Sequence, residues 1–348
     1  MSKRSSAKGE PRAANKRVNE KEVLIAVMGA TGTGKSTFIN HLSGAKLQVS
    51  DGIESCTSDV QATPPFQMFG MTVKLIDTPG FDDTTQSDAE ILERIATYLT
   101  ETYKEDVKLN GIIYLYRISD MRLGGIARRN FGMFRKLCGD DALSNVAVVT
   151  TMWDTVEESM ATRREEQLKT NAQLFAPVLA QGAKMYRHYG RVETAQAVLR
   201  PMTDMAPRAF LIQEEIVDEG KKLGETAAGT ELDSKLEAAL KQQVQQLQRA
   251  QEDMQRAFEE RDTAMQKELA SVRTDIQENI TRIEGQRDRL ASSNVLGDLQ
   301  ATLRRVENGI SAEQTRPRDY GRPAGTFSDI GSAVGGFWDK VLRTERKG

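Results

Sequence analysis

The chain has 348 residues, 39% of them hydrophobic and 28% charged, with a formal net charge of −2. Near-neutral charge gives no global reason to expect nucleic acid as a partner, and Cys56, Cys138, His41 and His188 stand in no ligand spacing, which excludes a disulfide framework or a zinc site. No apolar run reaches the ~20 residues needed to cross a bilayer, so the expectation is a cytoplasmic protein of one or two domains.

Residues 1–21 carry Lys3, Arg4, Lys8, Arg12, Lys16, Arg17 and Lys21 against Glu10 and Glu20, with almost no large apolar residue. Such a segment cannot bury a core and is expected to be a disordered basic tail. Its chemistry suits a solvating arm or contact with an anionic membrane or acidic partner. No apolar stretch follows the basic residues, so a secretory signal is not expected. Val23–Met28 is a short, continuous apolar run, the pattern of a parallel strand buried on both faces. It ends at a glycine-rich loop, and a helix is predicted from Lys35 to about Leu42. Met71–Ile76, Gly111–Tyr116 and Val146–Thr151 are further strands, and Lys184–Tyr189 is a candidate fifth. Helical segments fill the intervals at Ala89–Tyr103, Arg128–Leu137 and about Glu157–Ala180. This alternation predicts an α/β fold with a mostly parallel sheet flanked by helices.

The pattern changes past about residue 208. Between Leu232 and Leu290 there is no proline, and Gly285 is the one glycine. Apolar residues recur at helical spacing: Leu236, Leu240, Val244, Leu247, Met254, Met265, Leu269, Val272, Ile276, Ile280, Ile283 and Leu290. This predicts a long C-terminal amphipathic helix or coiled coil. Gln251 and Arg261 interrupt the seam, which leaves open a broken helix or one folded back on the rest. The expected organisation is a tail at 1–21, an α/β domain at 22–215, a long helical region at 216–310 and a tail at 311–348. The last segment is rich in Gly and Pro from Pro317 and ends in Phe327, Ile330, Val334, Phe337, Trp338, Val341 and Leu342, followed by Arg343, Arg346 and Lys347. It reads either as a frayed tail or packed helix, or as a short amphipathic membrane anchor with basic flanks.

Five stretches carry chemistry. Gly29-Ala30-Thr31-Gly32-Thr33-Gly34-Lys35-Ser36 matches the Walker A pattern at every fixed position, between an apolar strand and a helix. The glycines let successive N–H groups point at phosphates, and the helix adds its positive end. Lys35 is expected to reach the β- and γ-phosphate oxygens, the Ser36 hydroxyl to bind Mg²⁺, and Thr37 to contact the α-phosphate. Asp77-Thr78-Pro79-Gly80 ends a strand about 40 residues later, where Asp77 would hold the Mg²⁺ water shell and the Gly80 N–H would approach the γ-phosphate. Thr57, with Ser55 and Ser58 as rivals, is the candidate switch threonine for Mg²⁺ and the γ-phosphate. Thr151-Met152-Trp153-Asp154 follows the fourth strand, where Asp154 is placed to accept two hydrogen bonds from guanine N1 and N2. Met152 stands where a lysine is usual and keeps only its apolar packing. Read blandly, Asp154 is a helix N-cap. His188 is the candidate ring in the last base-binding loop.

In the order of these pieces the chain resembles the septin and immunity-associated (IMAP/Toc-like) GTPases of the TRAFAC class. It is also similar to G-domain proteins abundant in fungi through Tyr114-Leu-Tyr-Arg117-Ile-Ser-Asp120-Met-Arg122 and Asn130–Gly139. The resemblance covers about residues 22–215. It implies a Ras-like P-loop NTPase fold, GTP or GDP with Mg²⁺, a phosphate site built on Gly29, Thr31, Gly32, Thr33, Gly34, Lys35, Ser36 and Thr37, and homodimerisation across the G domain or the coiled coil. Lys35, Thr57 and Gly80 are then the residues at the reacting phosphate. After Asp-x-x-Gly such enzymes often carry a glutamine that orients water, and Phe81 stands there instead. Hydrolysis is therefore expected to be slow unless Asp82, Asp83 or a residue donated across a dimer places the water, with Arg117 and Arg122 as candidates to supply transition-state charge in cis or in trans. The same arginines read as surface or dimer salt bridges in the simpler account. A slow GTPase switch and a nucleotide-holding scaffold are the two functional readings.

Overall fold

A computed structural model describes residues 22–45, 47, 59–83, 85–120, 125–259 and 262–314. The expectations for the basic N-terminal tail, for Thr57 with Ser55, Cys56 and Ser58, for Arg122, and for the segment from Pro317 onward lie outside these residues. Residues 1–301 form one compact unit and residues 302–348 a second.

In the first unit, β1 (Glu22–Gly29) is the hub of the sheet. It pairs in parallel with β4 (Met71–Asp77) on one side and β5 (Gly111–Arg117) on the other. Beyond β5 follow β6 (Val146–Thr151) and β7 (Lys184–Arg187), both parallel. At the other edge β2 (Gln61–Ala62) and β3 (Phe66–Met68) run antiparallel to β4. These two pieces are too short to show an alternation, and the sequence pattern does not single them out. The four main parallel strands expected at 23–28, 71–76, 111–116 and 146–151 form, each within a residue or so of those bounds.

The continuous apolar character of β1 follows from its position. Val23, Ile25 and Val27 face Phe38, Ile39 and Leu42 of α1 (Lys35–Ser43) and Ala195, Val198 and Leu199 of α6 (Val192–Thr203). Leu24, Ala26 and Met28 face the opposite core, with Ile91, Leu92 and Ile95 of α2 (Asp88–Lys104) and Phe131 and Phe134 of α3 (Gly125–Cys138). The segment expected to be one helix over 157–180 is two, α4 (Glu158–Thr170) and α5 (Phe175–Ala180). Asn171 breaks it: its carboxamide oxygen accepts from the Gln173 N–H at 2.8 Å, a local turn that competes with the helix. Because β1 is flanked by β4 and β5, the strand order reverses around it, and the crevice at the carboxyl ends of β1 and β4 is where such sheets receive ligands.

After α6 the chain passes through α7 (Leu211–Gln213) and a π-helical turn, Glu214–Asp218. That turn presents the buried Glu215, whose carboxylate accepts from the Ala227 N–H at 3.0 and 3.1 Å. The Thr226 hydroxyl accepts from the Gly229 N–H at 3.0 Å. Together they satisfy and electrostatically favour the first turn of α8 (Ala227–Glu259). α9 (Thr263–Ser292) returns along α8 after a three-residue connection, and α10 (Val295–Gln314) closes the described chain. The Asp262 carboxylate caps the new helix, accepting from Ala264 and Met265 N–H groups at 3.1 and 2.9 Å, while Arg261 lies outside the described residues.

Leu232 and Leu236 of α8 and Ile283 and Leu290 of α9 join the main core. At the far end the inward positions are Ala250, Ala257, Leu269 and Ile276, whereas Val244, Met265 and Val272, expected in the seam, are exposed. Gly229 seats α8 on the body: a Cβ there would collide with the Leu223 carbonyl oxygen, which is backbone and cannot swing away. Gly229→Ala is expected to cost about 1–3 kcal/mol and lower Tm by several degrees, measured by thermal unfolding.

Candidate functional site

The phosphate-loop residues gather at the end of β1. Gly34, with φ 87°, is the N-cap of α1 and makes no side-chain cap, so the first-turn N–H groups are not claimed by a capping side chain. Lys35 is 6% exposed, and its ammonium donates to the Gly29 and Ala30 carbonyls at 3.2 and 3.1 Å. Burial lowers its pKa to about 8, against the opposing pull of Asp77 and Asp83 and with a smaller push from Arg117. The Ser36 hydroxyl donates to the Asp77 carboxylate at 2.6 Å. This contact follows from register: Val27 lies opposite Asp77, which brings the end of β4 beside the root of the loop. Thr37 is half-buried in the first turn of α1.

The loop after Asp77 is bonded to the phosphate loop by its backbone. The Thr31 N–H donates to the Phe81 carbonyl at 3.0 Å, and the Thr31 hydroxyl to the Gly80 carbonyl at 3.3 Å. A Cβ on Gly80 would lie 2.6 Å from Thr31 N and 2.7 Å from its Cα, so no other residue allows this approach. Phe81 is fully buried in the core. Asp82 has φ 65°, and its N–H donates to Asp88 at 3.2 Å. Asp83 accepts from Thr85 and Gln86 N–H groups at 2.7 and 3.2 Å. Arg117, at the end of β5, pairs with Asp120 at 3.0 Å and lies over the phosphate loop, its guanidinium 3.1 Å from where a Gly32 Cβ would stand.

The Thr151–Asp154 segment meets the same loop. The Thr151 hydroxyl donates to the Thr33 carbonyl at 3.0 Å, and Thr33 in turn donates its hydroxyl to Ala30 at 2.8 Å. Met152 has φ 59°, and its methyl group stands 3.8 Å from the position a Gly34 Cβ would take, beside the phosphate loop. Asp154 is exposed and makes the first turn after it. The Asp154 carboxylate takes no part in capping α4; the cap is Glu157, which accepts from Ser159 and Met160 N–H groups at 3.0 and 3.2 Å.

His188 is 5% exposed. Its ring packs edge-on against Phe38 at 5.1 Å and lies 6.0 Å from His41, with Nδ1 2.9 Å from the Thr194 hydroxyl. The exposed ring at this corner is its neighbour Tyr189, 5.6 Å from Trp153. A lone aromatic beside a histidine gives no sequence signal of which one turns outward. Burial, with His41 nearby, lowers the His188 pKa from 6.5 to about 4. The unfolded chain therefore takes up a proton between about pH 6.5 and 4 that the folded chain refuses, and stability falls as pH drops through that window. Urea unfolding at pH 7 and pH 5 is expected to show a smaller loss for His188→Asn than for the parent.

Residues 24–126 match the family model described as "50S ribosome-binding GTPase". Cell division control protein 10 of Candida albicans is 29% identical over 90 residues, covering 23% of this chain and 25% of that one. The chain thus spans about a quarter of that relative's length. Among solved structures, Toc33 from Arabidopsis thaliana in complex with GDP and Mg²⁺ aligns over 54% of this chain and 88% of that one at 16% identity, TM-score 0.41. Elongation factor SelB from Methanococcus maripaludis with the GTP analogue GppNHp aligns over 54% and 35% at 12% identity, TM-score 0.37. The chain thus folds as a P-loop NTPase of the G-domain type with long C-terminal helices, and its similarity to GTPases lies in residues 24–126.

Proposed function

We propose that the protein is a slow, Mg²⁺-dependent GTPase whose nucleotide state controls self-assembly. The observation that carries this reading is the meeting of Lys35, Ser36, Asp77 and Gly80 at one corner of the sheet. In this reading the phosphate-loop N–H groups and Lys35 hold the β- and γ-phosphates, and the Thr31–Gly80 contact lets the Asp77–Phe81 loop sense the γ-phosphate. The paired oxygens of Ser36 and Asp77, 2.6 Å apart, suit Mg²⁺, which takes oxygen ligands and relies on one or two protein groups plus phosphate. Bound there, Mg²⁺ would neutralise charge on the phosphates; Thr57 is proposed as a further ligand. Asp154 reads the guanine edge, and Tyr189 replaces His188 as the ring best placed beside the base.

The buried Phe81 cannot orient a water molecule. Asp82, Asp83 and Arg117 surround the position, and in a dimer a residue of the second copy would join them. The partners proposed are guanine nucleotide and a second copy of the chain, through the G domain or the helical arm. No helix among the described residues is long and apolar enough to cross a membrane, and a cytoplasmic location with peripheral membrane contact is the accompanying proposal. The buried Phe81 also favours a second reading, a scaffold that holds nucleotide without turnover.

Single-turnover hydrolysis separates the two. The parent is expected to release phosphate on the order of 10⁻⁴ s⁻¹, with a higher rate per chain as concentration rises. Lys35→Ala is expected to abolish it. Release no faster than in Lys35→Ala would reject the enzyme reading in favour of the scaffold.

A further inference from the structure

The loop that carries Asp154 is held by a brace drawn from three elements. Trp153 is 4% exposed, and its indole N–H donates to the Thr150 carbonyl and hydroxyl, both at 3.1 Å. Over its ring lies the guanidinium of Arg187, the last residue of β7, 4.3 Å from the centroid. Arg187 donates Nε and Nη2 to the two carboxylate oxygens of Glu165 in α4, at 3.0 and 2.7 Å. Lys169 donates to the same carboxylate at 3.0 Å. Glu165 is 2% exposed, so it needs partners of this quality. Burial alone would raise its pKa, but the hydrogen bonds from Arg187 and Lys169 outweigh that and hold the carboxyl below its usual range.

This assembly stands where the usual loop-fixing lysine is missing. Met152 stands beside the phosphate loop but brings no charge. The Thr151 hydroxyl fixes the loop's entry, and the Thr155 hydroxyl closes its exit by donating to Met152 at 2.8 Å. Between them, Trp153 is the one large buried side chain, and Asp154 follows it directly. Its ring is gripped from one side by a planar cation that is itself locked by a bidentate pair. A carboxylate that accepts two bonds from a base edge depends on such fixing, because a small misplacement loses both.

We propose that Arg187 is a positioning residue for base selection: by clamping Trp153 against β7 and α4 it aims Asp154 at the guanine edge. The inference rests on the reading of Asp154 as the base-reading carboxylate. It does not require Arg187 to touch the nucleotide.

The test is the affinity of the full chain for GDP, inosine diphosphate and xanthosine diphosphate. Inosine keeps the N1–H but lacks the 2-amino group. The double variant Glu165→Gln with Arg187→Met removes the clamp without leaving a buried charge. It is expected to raise the GDP Kd about tenfold, with a smaller rise for inosine diphosphate, so that the preference narrows. Arg187→Lys keeps a cation over the ring and is expected to restore part of the preference; it also carries the test alone if the double variant does not fold. In a Trp338→Phe background Trp153 is the sole tryptophan, and its emission change on GDP binding is expected to fall with the preference. A lowered Tm with an unchanged GDP-to-inosine ratio would overturn the proposal and leave Arg187 a structural brace. Asp154→Asn is the control for the underlying reading, since its amide can donate to the xanthine C2 carbonyl. If it shifts preference toward xanthosine diphosphate while the Arg187 variants leave the ratio unchanged, only the brace fails. If it shifts nothing, the role of Asp154 fails and takes the brace with it.

Discussion

Between Thr31 and the Gly80–Phe81 peptide two backbones lie closer than a Cβ on residue 80 would allow. The Thr31 N–H reaches the Phe81 carbonyl at 3.0 Å, and its hydroxyl reaches the Gly80 carbonyl at 3.3 Å. Much of the site follows from that closeness. It requires β1 and β4 to be parallel neighbours ending together, which the Val27–Asp77 register provides. Phe81, whose carbonyl takes part in this contact, has its side chain buried in the core. The contact also joins the loop that begins at Asp77 to the one that ends at Ser36.

α2 follows this loop in the chain and is one of the places where the helical arm is fastened, besides the seat of α8 at Gly229 and Glu215. Ser87 caps α2 in a reciprocal arrangement with Glu90. Arg289 of α9 donates to Glu90 and Glu93 at 2.6 and 2.8 Å, and Ser293 donates to Glu93 at 2.7 Å. Asp88, in the same turn, pairs with Arg129 of α3 at 2.7 Å. Partly exposed pairs of this kind contribute little to stability singly. Their importance is placement: they tie the start of α2, which follows the Asp77–Asp83 segment, to the arm.

Much of this was legible in the sequence because the signals are local. Val23–Met28 announces a doubly buried strand, and the glycine-lysine-serine loop and Asp77-Thr-Pro-Gly80 sit at the ends of strands that the sheet brings together. What was not legible depends on partners distant in the chain. Arg187 and Glu165 are 22 residues apart and meet over Trp153 through the packing of β7 on β6. Nothing near Tyr189 says that it, and not His188, is the exposed ring. In the arm, spacing placed Val244, Met265 and Val272 in the seam, but the buried positions there include Ala250 and Ala257 while those three are exposed, and short alanines give no apolar-spacing signal. The two- and three-residue strands at the sheet edge are held by pairing to β4, not by any pattern of their own.

The central claim is that this phosphate loop serves a guanine nucleotide. Loading the purified chain with an equal mixture of GTP and ATP in Mg²⁺, removing unbound nucleotide, and identifying what denaturation releases by chromatography tests it most directly. Guanine nucleotide alone, in proportion to protein, is the result expected. Adenine nucleotide in equal or greater amount, or no retained nucleotide at all, would contradict the account.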